Sequence, residues 1–199
     1  MIPVNIVIED ELSEAVVRRL LGELGTYEVV TPYKKHGSGA IKRGLKGYNA
    51  ASQYTPFVVL TDFDQEECAP VILRNWIDFE QHPNLIFRVA VREVEAWLLA
   101  DREGFAFYAA VSKKRIPLNP DLVEDPKALL FEIIKKSQKR TLKEDILPRY
   151  LGDRIGPNYN GRLVEFVAGQ WDVGRASENS PSLKKAIEHL RRFSVSRHS

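Results

Sequence analysis

Three carboxylates in this chain stand where short apolar runs end. Glu9 closes Val4-Asn5-Ile6-Val7-Ile8, and Asp62 and Asp64 follow Phe57-Val58-Val59-Leu60-Thr61. Residues i and i+2 of an extended segment face the same way, so Asp62 and Asp64 present their carboxylates side by side. Ligands of open α/β sheets gather at the carboxyl ends of the strands. Two neighbouring strands ending in this way collect Glu9, Asp62 and Asp64 into one acidic cluster. Such a cluster repels itself unless a cation enters or protons are taken up. Hard oxygen donors favour Mg²⁺, with Mn²⁺ as its substitute. The expectation is a metal site at the crest of a parallel sheet. An Asp-x-Asp pair at a loop start also serves as a plain turn former, so the site rests on Glu9 joining it.

The elements that must position these groups follow from periodicity. Residues 4–8, 27–30, 57–61 and 85–91 have strand composition. Between the first two, Leu12, Ala15, Val16, Arg19, Leu20 and Glu23 keep helical spacing, and Gly25 is placed to end the helix. Strand, helix, strand opens a βαβ unit. A helix of roughly ten residues is expected after Pro70, and another over Glu93–Asp101. Beyond about residue 112 prolines and helical segments take over, at 128–136, 163–168 and 182–193. Ser180-Pro181-Ser182 has the form of a capped helix start. The expected architecture is α/β: a parallel sheet flanked by helices over residues 1–110, then a mainly helical part over 111–199.

Residues 32–47, PYKKHGSGAIKRGLKG, differ from their surroundings. Four glycines and six basic residues, His36 included, predict a mobile basic loop. Lys34, Lys35, Lys42, Arg43 and Lys46 are its candidate phosphate contacts, since a basic loop beside a Mg²⁺ site suits phosphodiester chemistry. It is not a Walker A loop, because Leu45 stands where lysine is required. A solvated surface is the competing account. Lys113-Lys114-Arg115, Lys135-Lys136 and Lys139-Arg140 extend the basic track or form plain helix surfaces. The four histidines are dispersed without zinc spacing. Trp76, Trp97 and Trp171 are expected in the core.

The chain of 199 residues carries 29 Lys and Arg against 27 Asp and Glu, a net +2 that by itself argues for no nucleic-acid partner. No apolar run reaches the ~20 residues of a membrane span. Met1-Ile2-Pro3 leads straight into a strand without a signal-peptide pattern. The single Cys68 forms no internal disulfide. These features set the expectation of a cytoplasmic protein with no membrane partner.

Three known families share the ingredients. Haloacid-dehalogenase-type phosphatases carry Asp-x-Asp after a strand, but Glu66 stands where their motif has Thr or Val. Response-regulator receivers open as Ile8-Glu9-Asp10-Glu11 does, with Asp62 as phosphoacceptor. They need a Ser or Thr after the fourth strand and a Lys after the fifth, and Arg92-Glu93 follows the strand at 85–91. The closer resemblance is to the Toprim domain of topoisomerases, bacterial primases and nucleases of the overcoming-lysogenization-defect type. Glu9 matches the glutamate of that pattern, and Asp62 and Asp64 match its Asp-x-Asp, while Asp10 replaces the usual glycine. The chain further resembles bacterial Toprim-like proteins of unknown function, through Arg88–Asp101, Asp125-Pro126-Lys127 and Gly156-Pro157-Asn158-Tyr159-Asn160, over nearly its whole length.

The resemblance implies a Mg²⁺-dependent nuclease acting on DNA or RNA, with Glu9, Asp62 and Asp64 holding one or two ions that place the phosphodiester and activate water. Glu95, just past a strand end, is the candidate for a second metal site or a base. Lys127 is the candidate to stabilise the transition state. The resemblance also implies work in phage defence beside a separate ABC-type ATPase. The alternatives are a non-catalytic metal- or phosphate-binding regulatory module and a receiver-like signalling domain.

Overall fold

The computed structural model of the chain describes residues 1–62, 75–90 and 93–196. It is an α/β protein. Four parallel strands, β1 (Ile2–Ile8), β2 (Tyr27–Lys34), β3 (Phe57–Asp62) and β4 (Leu85–Ala90), form one sheet in the order β2-β1-β3-β4. Parallel strands buried on both faces carry near-continuous apolar runs, and the central pair β1 and β3 does so. Val7, Phe57, Val59, Leu85 and Phe87 line one face, packed against Ile41 and Leu45. Period-2 alternation turns Ile6, Ile8, Val58, Leu60 and Ile86 to the other face, and all are buried. Helix α1 (Glu11–Leu24) packs on β1 and β2. Asp10 caps its start by accepting from the Ser13 amide at 2.8 Å, and Gly25 ends it at φ 65°.

The basic stretch is the main correction. It is not a mobile loop. Its first residues extend β2 as far as Lys34, with Pro32 tolerated because β2 is an edge strand. Residues Ser38–Ala51 form helix α2. Three glycines inside a helix oppose it, each by about 1 kcal/mol relative to alanine. Burial of Ile41 and Leu45, with Tyr48 one turn on, supplies the stabilisation instead. Gly44 has a steric role: a Cβ there would lie 2.7 Å from the Tyr48 ring. That ring lies 5.7 Å from Phe57.

The helical remainder comprises α3 (Val94–Ala100), α4 (Arg102–Ala109), α5 (Pro126–Lys135), α6 (Arg140–Ile146), α7 (Tyr159–Gly169), α8 (Val173–Asn179) and α9 (Pro181–Ser196). The chain forms two compact units, residues 1–91 with 185–199, and residues 92–184. The segment 92–110, expected with the sheet, groups with the second unit. Its helix α3 is buried at every position. Within that unit Trp97 donates its indole N–H to Ser182 Oγ at 2.7 Å, and Trp171 donates to the Trp97 carbonyl at 3.2 Å. Phe105, Tyr108 and Phe166 pack ring against ring at 5.0–6.0 Å. Trp97 and Trp171 are core residues, as expected. The helix expected after Pro70 falls mainly outside the described residues. Among the described residues no helix is long and apolar enough to cross a membrane.

Candidate functional site

In the sheet unit, the Glu9 carboxylate meets Thr61 and the Asp62 backbone at the carboxyl ends of β1 and β3. The Thr61 hydroxyl donates to Glu9 Oε1 at 2.7 Å, and the Asp62 backbone amide donates to the same oxygen at 3.1 Å. Thr61 is buried, while Glu9 and Asp62 are half-buried. Parallel pairing of Asn5, Ile6 and Val7 with Phe57, Val58 and Val59 sets the register that brings the strand ends level. Asp64 lies outside the described residues. Among those described, no group of three or more His, Cys, Asp and Glu side chains is arranged to hold a metal ion. Mg²⁺ commonly binds through one or two carboxylates and keeps several waters. The all-oxygen pair Glu9 and Asp62 fits that chemistry.

The basic residues divide by partner. The Lys35 amide donates to the Ile8 carbonyl at 2.8 Å, so the end of β2 adjoins the end of β1 and therefore Glu9. Lys34 forms ion pairs with Glu14 at 3.0 Å and Glu11 at 3.8 Å. Partial burial works to raise the Glu14 carboxyl, and Arg18 and Lys34 together hold it below its ordinary value. Lys42 lies 5.7 Å over the Trp76 ring, and Lys46 pairs with Asp78 at 3.3 Å. Lys35 is half-buried and Arg43 exposed, and neither forms an ion pair among the described residues.

Glu95 and Lys127 come together in the second unit. Glu95 is 3 % exposed, in the first turn of α3. Its Oε1 accepts from the Tyr159 hydroxyl at 2.6 Å and lies 3.4 Å from Lys127 Nζ. Lys127 Nζ also reaches Glu93 Oε1 at 3.0 Å, while its backbone amide, at the start of α5, donates to Glu93 Oε2 at 3.0 Å. Burial pushes the Glu95 carboxyl up, with Glu93 adding to the rise. Lys127 and the Tyr159 hydrogen bond oppose it. Position 159 reaches this carboxylate because Gly156 lets the chain touch α6: a Cβ there would lie 2.4 Å from the Asp145 carbonyl oxygen. The Gly156 amide donates to Ile146 at 3.0 Å and the Asn158 amide to Asp145 at 3.0 Å. Three segments singled out in the sequence, Glu93–Asp101, Asp125-Pro126-Lys127 and Gly156–Asn160, thus converge on one buried carboxylate.

Sequence reasoning missed Thr61, Glu93, Tyr159 and Asp101. Thr61 had a signal in its place beside Asp62 at a strand end. Tyr159 lay in the singled-out Gly156–Asn160 segment, but nothing linked it to Glu95, 64 residues away. Comparison of the chain with protein-family models, curated proteins and solved structures yields no match.

Proposed function

We propose that the chain is a Mg²⁺-dependent nuclease of the Toprim-like kind, with Glu9, Asp62 and Asp64 as its metal-binding carboxylates. The observation that carries this reading is the seating of the Glu9 carboxylate on Thr61 Oγ1 and the Asp62 amide. Two acidic strand ends are held together there at the place where α/β sheets take their ligands. A bound Mg²⁺ supplies Lewis-acid polarisation of a phosphodiester and a water of lowered pKa. Thr61 and the Asp62 amide fix the orientation of Glu9 in advance, so little is lost in ordering it when a cation binds. Lys35 adds positive charge for the nucleic-acid backbone, since β2 ends beside β1. Glu95 and Lys127 enter as framework: the Glu95 carboxylate is buried and engaged by Tyr159 and Lys127. The resemblance supplies the remainder of the proposal, a role in phage defence beside a separate ABC-type ATPase.

The alternative reading is a non-catalytic metal- or phosphate-binding module.

The test separates them. Glu9→Gln retains an oxygen that accepts from Thr61 and Asp62, so its melting temperature is expected to stay near that of the parent. Asp62→Asn is expected to weaken Mn²⁺ binding by calorimetry at least about tenfold, the loss of one charged ligand being worth ~1.4 kcal/mol or more. Mg²⁺-dependent cleavage of labelled DNA and RNA is expected in the parent and not in Glu9→Gln. Equal metal binding by Asp62→Asn and the parent removes the site. Metal binding without cleavage moves the protein to the alternative reading.

A further inference from the structure

The second unit carries a cleft of about 690 Å³ between the end of α4, the turn at Lys113–Arg115 and the end of α5. Its lining includes Phe107, Ser112, Arg115, Lys136, Gln138 and Lys139, and no carboxylate. Phe107 is 78 % exposed, an unusual placement for a ring of that size. Lys139 is fixed there, donating to the Tyr108 carbonyl at 2.7 Å with its ammonium 5.6 Å from the Tyr108 ring centre. Arg115 and Lys136 are exposed and form no ion pair among the described residues. Two neighbouring cations differ: Lys113 is held by Glu103 at 2.6 Å and Lys135 by Glu132 at 2.6 Å. Lys114 beside them is without an ion pair among the described residues but does not line the cleft.

We infer that this cleft binds a nucleotide, with Arg115, Lys136 and Lys139 around its phosphate and Phe107 stacked on its base. Three cations around a concavity attract a multiply charged oxyanion. An exposed aromatic face beside them adds what a plain phosphate site lacks, a platform for a planar ring. Ser112 and Gln138 supply neutral donors and acceptors for sugar or base edges. An acidic peptide satisfies the cations but makes no use of the exposed ring. The nucleotide is either free or one unit of a single strand, and the chemistry of recognition is shared. The choice of ligand rests on the nuclease reading, while the cleft itself does not involve Glu9 or Asp62.

The test is anisotropy of fluorescein-labelled oligo-dT and oligo-U of twelve residues with the full chain in EDTA, so that metal chemistry plays no part. The Arg115→Ala, Lys136→Ala double variant changes two exposed side chains and is expected to weaken binding at least about tenfold. It is also expected to flatten the salt dependence by about 0.7 in slope for each lost phosphate contact. Phe107→Ala is expected to weaken binding about tenfold with the salt slope unchanged, because stacking is not electrostatic. The nuclease reading is tested by Mn²⁺ binding and Mg²⁺-dependent cleavage rather than by binding in EDTA, which keeps a failure of this inference distinct from a failure of that reading. Competition by AMP at the parent's affinity assigns a free nucleotide. Affinity that grows with strand length without AMP competition assigns a strand. Unchanged binding in both the double variant and Phe107→Ala overturns the inference, and so does tighter binding of polyglutamate than of either oligonucleotide.

Discussion

Asp101→Ala is expected to lower the stability of the second unit by about 4 kcal/mol, seen as a lower urea midpoint with an unchanged denaturant slope. Asp101 is fully buried between α3 and α4. Its carboxylate accepts from the Gly104 amide at 3.0 Å, the Asp172 amide at 2.9 Å, Arg175 Nε at 2.8 Å and Arg175 Nη2 at 3.1 Å. One side chain thus caps α4, holds the start of α8 and binds a guanidinium. Gly104 leaves it room, since a Cβ there would lie 2.1 Å from Asp101 Oδ2. The Arg175 side chain is 44 % exposed, so its ion pair alone contributes little. The larger part comes from two amides left without acceptors, each costing about 1–3 kcal/mol. Asp101→Asn retains one acceptor oxygen and is expected to lose roughly half as much. A loss under about 1 kcal/mol for Asp101→Ala would show that water replaces the carboxylate and that the junction is not held by it.

The second large effect depends on pH. Lys127→Met is expected to cost about 2–3 kcal/mol near pH 8, less than for a fully buried pair because the lysine is a third exposed. Burial raises the Glu95 carboxyl above its ordinary value. A carboxyl raised in the folded state contributes stability that is fully present below its unfolded value and lost as pH rises through its folded value. Lys127 opposes that rise, so its removal carries the folded value higher still. The extra loss in Lys127→Met therefore accumulates as pH rises from the parent's folded value to the variant's. It shrinks towards the ordinary carboxyl value of 4.5, where Glu95 is neutral in both proteins. Glu95→Gln in the Lys127→Met background is expected to flatten the dependence. A difference between Lys127→Met and the parent that is constant over the whole pH range in which both stay folded would show that Glu95 does not carry it.

The strands were legible because β1 and β3 are buried on both faces and read as unbroken apolar runs. Their acidic ends were legible for the same reason: a carboxylate after such a run marks a strand end. Helix α2 was not, because three glycines and three cations interrupt its composition and hide a stripe of only Ile41, Leu45 and Tyr48. Its stability lies in contacts with Phe57 and Val59, which local propensity does not contain. Glu95 stood out by the strand-end rule, yet its surroundings are made by Lys127 and Tyr159, 32 and 64 positions away. Spacing along one sequence cannot announce such partners. The division near residue 110 followed the last expected strand, whereas the helices at 94–109 take their contacts from later segments, through Trp171, Phe166 and Arg175.

The Tyr27 hydroxyl donates to the Leu190 carbonyl at 2.5 Å, across 163 positions of sequence. Burial pushes that phenol up to about 12, so it remains a donor throughout the neutral range. The sheet unit is thus closed by α9, the last helix, and residues 92–184 are a self-contained excursion within it. Ribosomal synthesis delivers the strands first and their closing helix last. The usual order, in which the N-terminal body matures while the rest is still being made, is reversed here. Condensation of the excursion before α9 docks is expected to shorten the loop that docking closes, at a smaller cost in chain entropy.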